Sequence, residues 1–167
     1  MARGIYTNRV EDVYSRQGVP GVLKMLRGQN SNGCAEVLKW ALNTNRIDVA
    51  RQAYAKVDGA TKWEMAKDLA GRSSYHRAFP LILGGQDPSF NNAMLLWTAA
   101  QRNNRETVRF LVRHPKITEQ MCTTLAPSSA SIAAKQLVDE ERAAWQHSLI
   151  AAALGHGTVQ PSTTRKM

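Results

Sequence analysis

The sequence predicts an all-α fold: a short α-solenoid of about five helix-turn-helix repeats, closed by a C-terminal capping helix. Three observations predict it. Apolar residues recur at spacings of three and four rather than two, the period of a helix face and not of a strand. The apolar blocks are ended by Gly, Asn, Ser or Pro, which break or terminate helices. The blocks also repeat along the chain, and a fixed repeat period marks a stack of supersecondary units.

The repeat is clearest from a reference helix at Val108-Arg109-Phe110-Leu111-Val112. A step of 30 residues back gives Ala78-Phe79-Pro80-Leu81-Ile82, 28 more gives Ala50-Arg51-Gln52-Ala53-Tyr54, and 28 more gives Val22-Leu23-Lys24-Met25-Leu26. A step of 26 forward gives Ala134-Lys135-Gln136-Leu137-Val138. All five blocks are apolar at the first, fourth and fifth positions. The same steps align a preceding helix at Val10/Val13/Tyr14, Leu38/Ala41/Leu42, Ala66/Leu69/Ala70, Leu96/Ala99/Ala100 and Cys122/Leu125/Ala126. Turns between the two helices of a unit fall at Gln17-Gly18, Asn45, Ser73 and Asn103, where Gly and Asn suit a left-handed terminating residue. Pro80 is expected to kink or split the third second helix.

A helix pair of this length cannot bury its apolar stripe alone, so successive pairs must stack. The small residues Ala41, Ala70, Ala99 and Ala126 let neighbouring first helices approach closely. After the fifth unit, Glu140 to Leu154 reads as a separate amphipathic capping helix. Trp145, Leu149 and Ala152 lie on its inward face, and Glu140 and Glu141 are the favourable acids of its first turn. Residues 1–154 form one helical repeat domain, and residues 155–167, rich in Gly and Thr, form a flexible basic tail.

The fourth unit, DPSFNNAMLLWTAAQRNNRETVRFLVRHPKIT (residues 87–118), resembles a divergent ankyrin repeat. Leu96, Ala99 and Ala100 match the L-x-x-A-A first helix of that family, and Glu106, Val108, Arg109, Leu111 and Val112 match its second helix. Tyr14 to Leu26 fits the same second-helix pattern. Met94-Leu95-Leu96-Trp97 stands where the family has T-P-L-H, and the spacing is shorter than usual, so the fingers between units are expected to be reduced. The resemblance implies a binding scaffold without chemistry of its own.

The residues themselves give no catalytic, cofactor or metal constellation. His76, His114, His147 and His156 do not pair with one another at three or four residues, nor with a cysteine at metal spacing. Cys34 and Cys122 stand 88 positions apart and build no disulfide framework, which reads as an intracellular, reducing setting. Cys122 aligns with a core position, and Cys34, at the start of a first helix, is expected to be more exposed. No apolar run approaches a membrane span and no leader pattern opens the chain, so the reading is a soluble, unprocessed protein without an evident small-molecule substrate.

Charge is the informative feature. The 22 Lys and Arg against 13 Asp and Glu give a net +9, which favours an acidic partner. Arg105, Arg109 and Arg113 are spaced to share one face of the fourth second helix, with Arg102 before and Lys116 after them. This ridge suits an acidic protein surface or a phosphate backbone. Trp97 lies outside the core register, as an exposed interface aromatic or as a packing residue between units. The expected function is therefore a non-catalytic protein–protein interaction scaffold, in a larger assembly, with a nucleic-acid-binding basic solenoid as the competing reading.

Overall fold

The structure, a computed structural model, describes residues 5–72, 78–83, 86–123 and 127–155. Those residues form helices α1 (Ile5–Arg27), α2 (Ser31–Asn43), α3 (Ile47–Lys56), α4 (Gly59–Ala70), α5 (Phe79–Leu83), α6 (Phe90–Gln101), α7 (Arg105–Val112), α8 (Glu119–Cys122) and α9 (Ile132–Gly155). There is no strand among them, so the chain is all-α. No helix of the described residues is long and apolar enough to cross a membrane.

The turns show how local chemistry sets the chain path. Asn45 and Asn103 have φ of 56° and 54°, the left-handed conformation expected for them. At the first, Asn45 N–H donates to Leu42 O and Arg46 N–H to Ala41 O. At the second, Asn103 N–H donates to Ala100 O and Asn104 N–H to Ala99 O. This is one and the same helix-ending motif, in which two amides turn back to satisfy the last free carbonyls. Ser73 lies outside the described residues.

Helix starts recur in the same way. The side chains of Asn30, Asp58 and Thr118 accept from the amides of Gly33, Thr61 and Met121, capping α2, α4 and α8. Contacts between these starts join neighbouring pairs: the Ser31 hydroxyl donates to the Asp58 carboxylate, and Lys116 Nζ lies 3.1 Å from Asp87. At the opposite ends, Asn104 Nδ2 donates to Ala70 O at 2.7 Å and Arg46 bonds the Tyr14 hydroxyl; between α3 and α5, the Tyr54 hydroxyl donates to Ile82 O at 2.6 Å.

Helix α2 packs on α1, α3 and α4, α4 on α5 and α6, and α6 on α7, α8 and α9. One core runs through them, with Val22, Leu38, Ala66, Phe79, Leu96 and Leu111 all buried. The small residues Ala41, Ala70 and Ala99 are fully covered where helices meet, while Ala126 lies outside the described residues.

The structure corrects the expected boundaries at both ends. Helix α1 is assigned as one element of 23 residues, broken inside by Gly18 at φ 61° and ψ −160°. A side chain is strained there, so the predicted Gln17-Gly18 turn survives as a sharp kink. Helix α5 has only five residues, with Pro80 in its first turn. The expected capping helix is not separate. Its residues continue the fifth second helix as the 24-residue α9, because nothing between Val138 and Glu140 breaks a helix. Leu149 and Ala152 are exposed rather than inward. The tail from residue 156 lies outside the described residues.

Helix α6 holds one further irregularity. Asn91, Asn92 and Ala93 have φ of 49°, 54° and 59°, three successive left-handed residues. Asn tolerates this conformation, but buried Ala93 does so only at a cost of about 1–2 kcal/mol.

Candidate functional site

The predicted basic ridge is real as a helix face, and the fold directs that face at α9. Helix α7 begins at Asn104, whose side chain caps the Thr107 amide, and buries Val108, Leu111 and Val112. That places Arg105 and Arg109 one turn apart against Glu141. Arg105 Nη1 lies 2.8 Å from Glu141 Oε1, and its other terminal nitrogen lies 2.7 Å from Glu140. Arg109 Nε lies 2.8 Å from Glu141 Oε2, and Arg109 also reaches Glu106 at 3.4 Å.

Glu141 is 4% exposed, so its carboxylate is held by two guanidinium groups with little water present. The Arg109 hydrogen bond, opposed by burial and helped by Arg105, keeps its proton affinity below the ordinary carboxylate value. Glu140 and Glu141 are thus interior residues of α9 that dock it onto α7. They are not the acids of a helix start.

Two further members of the ridge have partners as well. The Arg113 guanidinium lies 5.2 Å from the centre of the Trp145 ring, a cation–π contact. Lys116 pairs with Asp87. Arg102 is exposed and makes no ion pair among the described residues. Trp97 is 2% exposed, and its indole N–H donates to Met121 O at 3.2 Å. Of the two roles open to it, the structure has Trp97 packing α6 against α8.

Other residues singled out in the sequence occupy plain positions. Cys122 is buried, as expected. Cys34 is buried too, contrary to its expected exposure, and desolvation raises its thiol pKa. His114 Nδ1 accepts from the Lys116 amide, and His147 is exposed. His76 and His156 lie outside the described residues. Among the described residues, no three His, Cys, Asp or Glu gather as metal ligands.

Open surface remains on α7, where a hollow of about 410 Å³ is lined by Glu106, Arg109, Phe110, Arg113, His114 and Pro115, and along α2, α4 and α6. A hollow of about 370 Å³ sits between α2 and α4, with Ala35, Glu36, Lys39, Glu64, Met65 and Asp68 in its walls. A second, of about 350 Å³, lies against α6, with Asn91, Asn92, Met94, Thr98, Gln101 and Ser129 around it. Glu36–Lys39 and Glu64–Lys67 form the same ion pair at equivalent repeat positions, 2.9 and 2.6 Å long. At the α4–α6 boundary, Trp63 and Phe90 meet edge to face with centroids 5.0 Å apart, and Phe90 is 59% exposed.

Sequence reasoning passed over Phe90 because it precedes the apolar register of α6. It passed over Glu141 as a partner because the arginines it meets stand 32 and 36 residues away. Compared with known protein families, curated proteins and solved structures, the chain matches none.

Proposed function

We propose that the chain is a non-catalytic scaffold that docks a protein partner along α2, α4 and α6, its helix pairs stacked as a short, divergent ankyrin-like solenoid. The observation that carries this reading is the Trp63–Phe90 pair, whose Phe90 ring is 59% exposed where α4 meets α6. Exposed large aromatics are characteristic anchors of protein interfaces. The helix caps at Asn30 and Asp58 and the two Glu–Lys pairs, at corresponding positions of the second and third pairs, and the Asn turns of the second and fourth support the solenoid.

The ion pairs on α7 favour a protein over nucleic acid. A phosphate backbone drawn to Arg105 and Arg109 would compete with the Glu141 carboxylate that both already bind. The two buried free thiols agree with a reducing, intracellular setting. The exposed apolar surface suits a fixed place in a larger assembly.

Affinity purification of the tagged chain from its native source, with residue-specific crosslinking, tests the reading. A protein partner crosslinked through Phe90 and the α2–α4 hollow, and lost with Phe90→Ser, is the expected result. Nucleic acid bound with a steep salt dependence, unaffected by Phe90→Ser, would replace this reading with the basic-solenoid one.

A further inference from the structure

We propose that the hollow on α7 is a pocket for one acidic residue of a partner protein, an Asp or Glu set beside an apolar side chain. Its walls are Glu106, Arg109, Phe110, Arg113, His114 and Pro115, around about 410 Å³ of space. The pocket rests on the reading of the chain as a protein-docking scaffold, yet it lies on a different helix from Phe90.

The charges in the walls fix the valence of the ligand. Arg105 and Arg109 are met by Glu106, Glu140 and Glu141, and Lys116 is met by Asp87. Between the two arginines of the hollow, Arg109 is thus neutralised. Arg113 has no carboxylate partner among the described residues, and its contact is the Trp145 ring 5.2 Å away. An aromatic face steadies a guanidinium without neutralising it, so α9 holds Arg113 in place with its charge still to be matched. One unmatched guanidinium calls for one carboxylate, which it binds through charge-assisted hydrogen bonds.

His114 supplies a second donor. Its Nδ1 accepts from the Lys116 amide at 3.2 Å, so the neutral ring carries its proton on Nε2. That Nε2–H has no partner among the described residues and belongs to a wall of the same hollow as Arg113.

Phe110 and Pro115 supply the apolar part. The half-buried Phe110 ring meets the buried Phe79 ring edge to face, with centroids 5.9 Å apart, so this wall is fixed before a ligand arrives. An apolar side chain next to the acid gains about 25 cal/mol for each Å² it buries there. Glu106 sets the opposite limit. Its carboxylate stands in the same hollow, so a doubly charged phosphate or a run of phosphates meets a like charge that a single carboxylate meets more weakly. Helix α7 also ends here, and the partial negative charge of its last carbonyls opposes any anion. The contact is therefore weak on its own, with a dissociation constant of about 0.1 to 1 mM.

NMR of the isotope-labelled full chain, titrated with a short blocked Gly/Ser peptide carrying a Leu-Asp-Leu core, tests the pocket. Saturable shifts centred on residues 109–116 and on the Arg113 Nε–H are expected. Changing the Asp of the core to Asn weakens binding at least about fivefold, as does Arg113→Gln in the protein, whereas Arg102→Gln, outside the hollow, has no effect. Because Arg113→Gln also releases Trp145, Glu106→Gln at an exposed position provides an independent check. It leaves the fold intact and narrows the preference for the Asp core over a phosphoserine core at least about threefold. Phe90→Ser leaves peptide binding unchanged, so failure of the α7 pocket and failure of the α2–α4–α6 surface are read separately. Absence of saturable shifts at residues 109–116, equal binding of the Asp and Asn cores, or tighter binding of the phosphoserine core to the unaltered chain overturns the proposal.

Discussion

Asp58 and Asp87 act far beyond their own turns. Hydrogen bonds from the Ser31 hydroxyl and from Thr61 hold Asp58 at a pKa of about 2, and those from Ser89 and Lys116 hold Asp87 at about 2. Each is lowered by folding, so each adds stability above the ordinary carboxylate range, and that contribution disappears as pH falls through about 4 towards 2. Thermal unfolding followed from pH 5 to pH 2 should show this loss, with a flatter slope in Asp58→Asn and Asp87→Asn. Glu141 is the other residue on which packing turns. Replacing it by Ala leaves Arg105 and Arg109 without their shared acceptor; because both are partly exposed, the expected cost is about 1–3 kcal/mol, read from urea unfolding. Asn103 is held at φ 54°, so Asn103→Val should cost about 1–2 kcal/mol while Asn103→Gly is close to neutral.

At the scale of elements, α2, α3, α4, α6 and α7 were legible in the sequence because each joins an apolar register to a terminating residue. The caps at Asn30 and Asp58 and the turns at Asn45 and Asn103 are local chemistry, and the sequence states local chemistry directly. Helix α9 was misjudged because repeat length was used to divide it where no Gly, Pro or Asn does so. The ridge was half legible. A spacing of four residues reveals that Arg105, Arg109 and Arg113 share a face, and nothing local reveals that Glu141 and Trp145 stand before it. Residues 149–154 of α9 are all exposed, so a chain ending after Ser148 should unfold at nearly the same urea concentration as the full chain. Ala99→Asp, by contrast, places a charge in a fully buried helix contact and should cost several kcal/mol.

At the scale of the whole molecule, cohesion passes between neighbours. Ser31 reaches Asp58, Tyr54 reaches Ile82, Asn104 reaches Ala70, and Gln101 reaches Ser129, each to the next pair along the chain. Structures bonded this way depend on every junction, and α5, of five residues, and α8, of four, are the short helices among the described residues. Hydrogen exchange should therefore find amides of α5 opening before those of α2 and α6. The unbroken α9 has a different consequence. A continuous helix of 24 residues behaves as one stiff rod, so the Glu141 contacts that clamp its first half on α7 also fix the direction in which its exposed second half projects.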